Sequence, residues 1–121
     1  MAVYEGVVFG TPVSKSNSYR IITINGRGSL TKTTAMKKYE EDFLWQVGGM
    51  RDLNLDKPFE FYLDVYYPSK RSDLDGSFKC ILDCLQKAKV IKNDNNCCKI
   101  LGRKFIDKEK PRVEFRIVTI E

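Results

Sequence analysis

The chain has 121 residues, of which 42% are hydrophobic and 31% charged, so its composition excludes a disordered chain and predicts a single domain over residues 1–121. Its formal net charge of +5 favours an acidic partner, of which nucleic acid is the commonest. Histidine is absent, which excludes imidazole bases, imidazole zinc ligands and Ser–His–Asp triads.

No apolar run approaches the roughly 20 residues that a membrane-spanning helix needs. The first residues, "MAVYEGVVFG", place no basic residue before the apolar part and interrupt it with Glu5, which is unlike a signal peptide. We therefore expect a cytoplasmic protein with no membrane partner.

In the first half of the chain, residues 3–10 are predicted to form a strand, and the turn-forming residues 11–20 a loop. Residues 21–26 predict a short strand that ends in an Asn25-Gly26 turn. From residue 33 to residue 50 the spacing of apolar residues predicts a helix, weakened near its end by two glycines. The apolar stripe of this helix comprises Met36, Tyr39, Phe43, Val47 and Met50.

In the second half, residues 58–67 alternate between apolar and polar, which predicts a half-buried strand. Helical spacing of apolar residues then predicts a helix at about 75–89, with Asp75 as its N-cap. A turn follows at 91–96.

Residues 97–106 and 112–120 predict two further strands, which the intervening "DKEKPR" would join as a hairpin. The resulting order is roughly β(β)αβαββ. It predicts an α+β fold, in which two helices pack on one face of a mixed β-sheet.

The segment "RSDLDGSFK" places two aspartates, Asp73 and Asp75, just before Lys79 at the predicted helix start. Asp94 follows the helix, and it would approach the same region if the helix were a crossover between neighbouring strands. Carboxylates beside a lysine suit Mg²⁺, which prefers oxygen ligands and, with a substrate phosphate, needs only a few of them.

An ordinary structural explanation competes with this metal site. Asp75 would cap the helix, Asp94 would serve a turn, and Lys79 would form a surface pair with Asp75. An EF-hand loop is excluded, because its glycine belongs where Phe78 stands.

The four cysteines, at positions 80, 84, 97 and 98, are expected to be reduced in the cytoplasm and to act as small apolar fillers. Their spacing lacks the usual C-x2-C pattern, so we expect no zinc.

Taken together, these segments resemble the RusA-type Holliday junction resolvases, which are small phage and prophage endonucleases. "PVSKSNSYR" (12–20) is similar to the family's opening segment, rich in proline, serine and asparagine and closed by arginine. "DLDGSFKCILDCLQKAKVIKNDNN" (73–96) is similar to its D-x-D-N-x-x-K pattern with a following Leu/Phe-Asp-x-Leu segment and a later acid. The final "PRVEFRIVTI" also fits.

The resemblance implies a homodimer that binds four-way junction DNA and nicks opposing strands at two symmetric Mg²⁺ sites, with Mn²⁺ as an alternative metal, in DNA recombination and repair. Asp73, Asp75 and Asp94 would bind the metal, and Lys79 would be a catalytic or phosphate-contacting base. Gly76 stands where the family usually has asparagine, which puts the fine geometry of the site in question. The host would be a bacterial cell, with a phage or prophage as the alternative source of the gene.

Basic residues in loops or beside the acids are candidates for the DNA surface, with loop solvation as the competing explanation. They are Lys15, Arg20, Lys70, Arg71, Lys92, Arg103 and Lys104. Tyr19 and Tyr66 are candidates for stacking on unpaired bases, whereas Tyr67 is expected to lie in the core.

Two other functions stay open at this point. One is a branched-DNA-binding module without catalysis, which the Gly76 departure favours and the complete set of acids disfavours. The other is a nuclease that acts on flaps or forks, which nothing in the sequence distinguishes from a junction resolvase.

Overall fold

The computed structural model describes residues 1–120, apart from the side chains of Lys15 and Ser16. Within the described residues, six strands and three helices follow one another: β1 (Val3–Phe9), α1 (Lys15–Ser18), β2 (Tyr19–Ile24), β3 (Arg27–Lys32), α2 (Thr34–Gln46), β4 (Phe59–Tyr67), α3 (Leu74–Lys87), β5 (Cys97–Ile106) and β6 (Arg112–Thr119). Single 3-10 turns lie at Gly48–Met50 and Asp94–Asn96. Within the described chain, no helix is both long and apolar enough to cross a membrane.

Four strands form the main sheet in the order β1-β6-β4-β5. β4 pairs parallel with β5, and α3 connects them, so the helix is the crossover that the sequence suggested. The predicted hairpin between β5 and β6 is wrong, because β4 lies between these strands. β6 buries alternate residues and suits a central position, whereas most side chains of β5 are exposed, as expected of an edge strand.

The two long helices pack on one face of this sheet, which confirms the predicted α+β class. β4 buries every second residue from Phe59 to Tyr67 on that face. These residues form one core cluster with the apolar stripe of α2 and with the buried residues of α3. The stripe predicted for α2 is buried as expected, although Met50 lies beyond the helix and is only partly buried.

α2 ends earlier than predicted, at Gln46 rather than near Met50. Val47 is its C-cap, and Gly48 adopts a positive φ of 57°, a conformation that terminates helices and that glycine adopts without strain. The start of α2 is fixed by Thr33, whose side chain accepts a hydrogen bond from the Met36 amide.

β2 and β3 form a separate two-stranded ribbon, which we call the β2–β3 ribbon (Tyr19–Lys32). Its turn is the predicted Asn25-Gly26 pair, with φ angles of 51° and 77°. β3 was not predicted, and the region predicted as a loop contains α1 and the first residues of β2.

The cysteines divide into two groups. Cys80 and Cys84 lie in the core, as the apolar-filler interpretation predicted. Cys97 is half-buried and Cys98 is exposed, so that interpretation is wrong for Cys98.

Gly6 of β1 provides a test of this packing. A Cβ added there would lie 2.6 Å from Cζ of Phe115 and 2.7 Å from Cε of Met50. Phe115 is buried and stacks on Phe43 with ring centroids 6.0 Å apart, so its ring has little room to move. We expect Gly6→Ala to lower the free energy of unfolding by about 1–3 kcal/mol in urea denaturation.

The matched control is Gly49→Ala, because an added Cβ at Gly49 meets no atom within 4 Å. We expect its stability to stay within about 1 kcal/mol of the parent chain. Equal stability of the two variants would contradict the described packing around Gly6.

Candidate active site

Two acidic side chains at the start of α3 take no part in capping the helix. Asp73, not Asp75, is the N-cap residue, with extended φ and ψ of −92° and 137°, and its side chain makes no capping hydrogen bond. The predicted N-cap, Asp75, is therefore wrong, because the N-cap lies two residues earlier, where the Tyr67 hydroxyl donates a hydrogen bond to the backbone carbonyl of Asp73 at 3.2 Å. Asp75 lies in the first turn. Both carboxylates are exposed, and among the described residues no cation pairs with either.

These two aspartates line an open cleft between segments that are distant in sequence. One wall comes from the N-terminal loop and α1, with Pro12, Val13, Ser14 and Asn17, and another from Ala35 at the start of α2. The lining is completed by Tyr67 at the end of β4, by Arg71 and Ser72 from the loop before α3, and by Gly76. The cleft therefore brings the "PVSKSNSYR" segment next to the "DLDG" segment.

Lys79 lies further along α3, between two other acids. Its Nζ is 3.1 Å from Oδ1 of Asp83 and 3.4 Å from Oδ2 of Asp94. Gln86 accepts a hydrogen bond from the Asp94 amide at 3.0 Å, which holds the 3-10 turn against the helix. The predicted surface pair between Lys79 and Asp75 is wrong, because the two nearby carboxylates attract the ammonium towards the other end of α3.

Hydrogen bonding to Asp83, together with the negative charges of Asp83 and Asp94, raises the pKa of Lys79 above its ordinary value. The charged form is therefore favoured in the folded chain. Its stabilisation is present below the pKa of lysine in the unfolded chain, and it is lost as the pH rises through the raised value.

The base of the β2–β3 ribbon is attached to the same group. The Tyr19 hydroxyl donates to Oδ2 of Asp83 at 3.0 Å. Burial and this hydrogen bond raise the pKa of Tyr19. Across the ribbon, Lys32 pairs with the buried Glu40 of α2 at 2.6 Å. The contact of Asp83 with Lys79 and Tyr19 was missed in the sequence, where only the i, i+4 spacing to Lys79 indicated it.

The three predicted metal ligands do not converge within residues 1–120, since no three acidic or cysteine side chains there lie close enough to hold a metal ion. Asp73 and Asp75 form one group at the cleft, and Asp94 belongs to the Lys79 group. The donor set nevertheless fits a hard cation, because Asp73 and Asp75 offer unpaired, exposed carboxylate oxygens. Asp94 is occupied by Lys79 and would have to exchange partners to join them.

The predicted DNA-contacting residues differ in their surroundings. Lys70 and Arg71 are exposed in the loop before α3, and Arg71 lines the cleft with the two aspartates. Arg20 is exposed on the β2–β3 ribbon. The side chain of Lys15 lies outside the part of the chain that the structure describes.

The other three basic residues have protein partners. Lys104 donates to the backbone carbonyls of Lys70 and Ser72, so it supports the loop that carries Arg71. Lys92 pairs with Asp56 at 3.3 Å. Arg103 forms two hydrogen bonds with Asp64, at 2.9 and 2.8 Å, on the sheet face opposite the helices.

The tyrosines are also distributed over different surfaces. Tyr67 is buried in the core, as predicted. Tyr66 stacks on Phe105 with ring centroids 4.8 Å apart and lies under the Arg112 guanidinium, on the open face of the sheet. Tyr66 thus lies on the sheet face opposite the two long helices, whereas Tyr19 lies beside the Lys79 group.

The pKa of Lys79 tests the arrangement of this group. Asp83→Asn removes its main hydrogen-bond partner and one negative charge, so we expect the pKa to fall. Asp94→Asn should lower it by less, since Asp94 contributes the smaller part. Titration of the lysine side-chain NMR signals measures the shift. Asp56→Asn is the control and should leave it unchanged, whereas a larger effect of Asp94→Asn than of Asp83→Asn would contradict the geometry.

Comparison with known proteins identifies the family of this chain. The family described as "Endodeoxyribonuclease RusA" matches residues 10–118. A relative from Aquifex aeolicus (strain VF5), described as "Crossover junction endodeoxyribonuclease RusA", is 31% identical over 108 residues, which cover 88% of this chain and 83% of the relative. The match includes both the cleft segments and the Lys79 group. It confirms the predicted family and enzyme class: the chain belongs to the RusA family of endodeoxyribonucleases.

Proposed function

We propose that this chain resolves four-way DNA junctions by paired, Mg²⁺-dependent nicks and acts as a homodimer in DNA recombination and repair. The observation that carries the proposal is the pair Asp73 and Asp75. Both carboxylates are exposed at a cleft, neither is used for capping, and both lie beside Arg71. Ordinary capping aspartates bond to the first helical amides, and these do not.

Asp73 and Asp75 would bind the cation, with Asp94 as a third ligand. Bound there, Mg²⁺, or Mn²⁺ in its place, would activate water and stabilise the charge that develops on the scissile phosphate. The N-terminus of α3 adds a partial positive charge at the same place, which favours a phosphate in the cleft.

Lys79 would have two successive roles. In the chain without DNA it neutralises Asp83 and Asp94, which prevents the acids from repelling one another. If Asp94 served as a ligand of the cation, the Lys79 ammonium would be free to contact a phosphate oxygen, and Asp83 would keep it oriented.

The DNA surface would extend from the cleft over the exposed cations around it, with Arg71 closest to the two aspartates. Arg20, Lys70 and Lys15 are the other candidates for direct phosphate contacts. Lys92, Arg103 and Lys104 already bind acceptors of the protein, and Lys104 supports the DNA surface by holding the Arg71 loop.

A homodimer follows from the symmetry of the substrate. A four-way junction has two-fold symmetry, and paired nicks on opposing strands need two active sites. A two-fold dimer supplies both sites through one self-complementary interface.

Single Asp→Asn substitutions test the metal ligands, since each removes a charge with little change of volume. We expect Asp73→Asn, Asp75→Asn and Asp94→Asn each to lower the nicking rate on a synthetic four-way junction by about 100-fold or more. Junction binding should survive, because each change removes a negative charge that faces phosphates. Gel-based nicking rates and binding assays measure the two effects separately.

Asp42→Asn is the matched control, because Asp42 is an exposed aspartate on α2 that pairs with Lys38. It should nick at the parent rate. A folded Asp73→Asn or Asp94→Asn variant that nicks at the parent rate would contradict the metal-site hypothesis.

The salt dependence of binding tests the cationic surface. Each phosphate contact releases counterions, so the logarithm of the binding constant falls with the logarithm of salt concentration by about 0.9 per contact. We expect Arg71→Ala to weaken binding and to reduce this slope by about one contact. The control is Arg51→Ala, an exposed arginine that follows the 3-10 turn near the C-terminal end of α3. Equal slopes for the two variants would remove Arg71 from the DNA surface.

A further inference from the structure

β5 forms one edge of the main sheet, and within the described residues no strand pairs with its free side. Its pairing with β4 runs without interruption from Lys99 to Ile106, and the strand contains no proline. Natural sheets usually protect such an edge with a proline, a bulge, charged side chains or a very short strand. An uninterrupted edge of this length can pair with another strand through its unused backbone N–H and C=O groups.

The apolar side chains of this edge are arranged symmetrically about Arg103. In "ILGRKFI" (100–106), Ile100 and Leu101 precede Arg103 at the same distances at which Ile106 and Phe105 follow it. All four apolar residues are between 36% and 51% exposed. This pattern matches itself when two copies of the strand run antiparallel. Ile100 then lies opposite Ile106 of the second copy, and Leu101 lies opposite its Phe105.

The side chains that meet in this register also share a face of the sheet, because residues an even number apart in a strand point the same way. The β4 neighbours of Ile100 and Ile106 are buried core residues, so these two side chains lie on the helix side. Leu101 and Phe105 lie on the open side. The pairing would therefore form apolar cross-strand contacts on both faces of the joined sheet. A self-matching pattern on both faces indicates a second copy of this chain as the occupant.

The charges of β5 are compatible with this pairing. Arg103 would face its own copy across the two-fold axis, but each guanidinium is neutralised by Asp64 through hydrogen bonds of 2.9 and 2.8 Å. Lys99 would lie opposite Asp107 of the second copy, which carries the opposite charge. Lys104 already donates to backbone carbonyls of the loop before α3. Each cation of the strand therefore has an anionic or carbonyl partner in the joined sheet.

We propose that two copies of this chain join through β5, with the two strands antiparallel and centred on Arg103, so that the two sheets become one continuous sheet. The two-fold axis of such a sheet is perpendicular to it, which places α3 and the cleft of both copies on the same side. Both candidate active sites would then face one DNA junction. This inference rests on the homodimer of the proposed function and names the surface that forms it.

Two single variants that are expected to restore each other provide the test. Leu101→Glu and Phe105→Lys each place a charge opposite an apolar side chain at both symmetric positions of a dimer, so each should weaken the pairing. In a mixed dimer the two substituted positions lie opposite each other and carry opposite charges, while the unsubstituted Leu101 and Phe105 keep their apolar contact. The restoration depends on the register centred on Arg103.

Sedimentation velocity over a range of concentrations, without DNA, measures the dissociation constant of the dimer. We expect each single variant to raise it by about tenfold, and an equimolar mixture to return it to within about threefold of the parent value. Val7→Lys is the matched control, because Val7 is 44% exposed on the same face but in β1, at the other edge of the sheet. It should keep the parent value. Circular dichroism checks that each variant folds.

Single variants that keep the parent dissociation constant, or a mixture that dimerises as weakly as they do, would overturn the inference. A parent chain that stays monomeric would contradict the proposed homodimer as well. Because dimerisation is measured without DNA, a dimer that fails to nick junctions would contradict the proposed cleavage alone, so the two failures are distinguishable.

Discussion

The close approach of α3 to the parallel strands β4 and β5 is the constraint on which the candidate site depends. Gly102 of β5 permits it, because an added Cβ there would collide with Cζ of Phe78 on the helix. With α3 held there, its N-terminus faces the cleft and its middle faces Asp94, which follows the helix in the chain. The crossover thus places Asp73 and Asp75 at the start of α3 and the Lys79 group along its middle, and the two groups are not in contact with each other.

Charge balance explains how the folded chain tolerates several acidic side chains close together. Asp83 and Asp94 share the Lys79 ammonium, and Asp83 also accepts from Tyr19. Asp73 and Asp75 remain unpaired but exposed, where water screens their repulsion. In such a site the acids attract a cation into the cleft, and the basic side chains around it attract phosphates. Binding of a DNA backbone together with a divalent cation would require both.

Local sequence patterns predicted those elements whose formation depends on burial of side chains within the same strand or helix. The alternation of β4 and the apolar stripe of α2 follow from which side chains must be buried, and both are confirmed. The insertion of β6 between β1 and β4 could not be predicted, because it depends on pairing between distant strands. The N-cap was predicted at Asp75 and lies at Asp73, whose backbone carbonyl accepts a hydrogen bond from the Tyr67 hydroxyl of β4, a contact that the residue pattern of α3 does not contain.

The same limit applies to the candidate site. Residue types and their order in the sequence predicted Asp73, Asp75, Lys79 and Asp94 as site residues, but not the partners of Lys79.

The most direct test of the proposed junction cleavage is to map nicks on a four-way junction with each strand labelled in turn, with and without Mg²⁺. Nicks are expected at symmetry-related positions on two opposing strands, and only when the cation is present. Nicks without Mg²⁺, or equal cutting of linear duplex, would contradict the proposed cleavage.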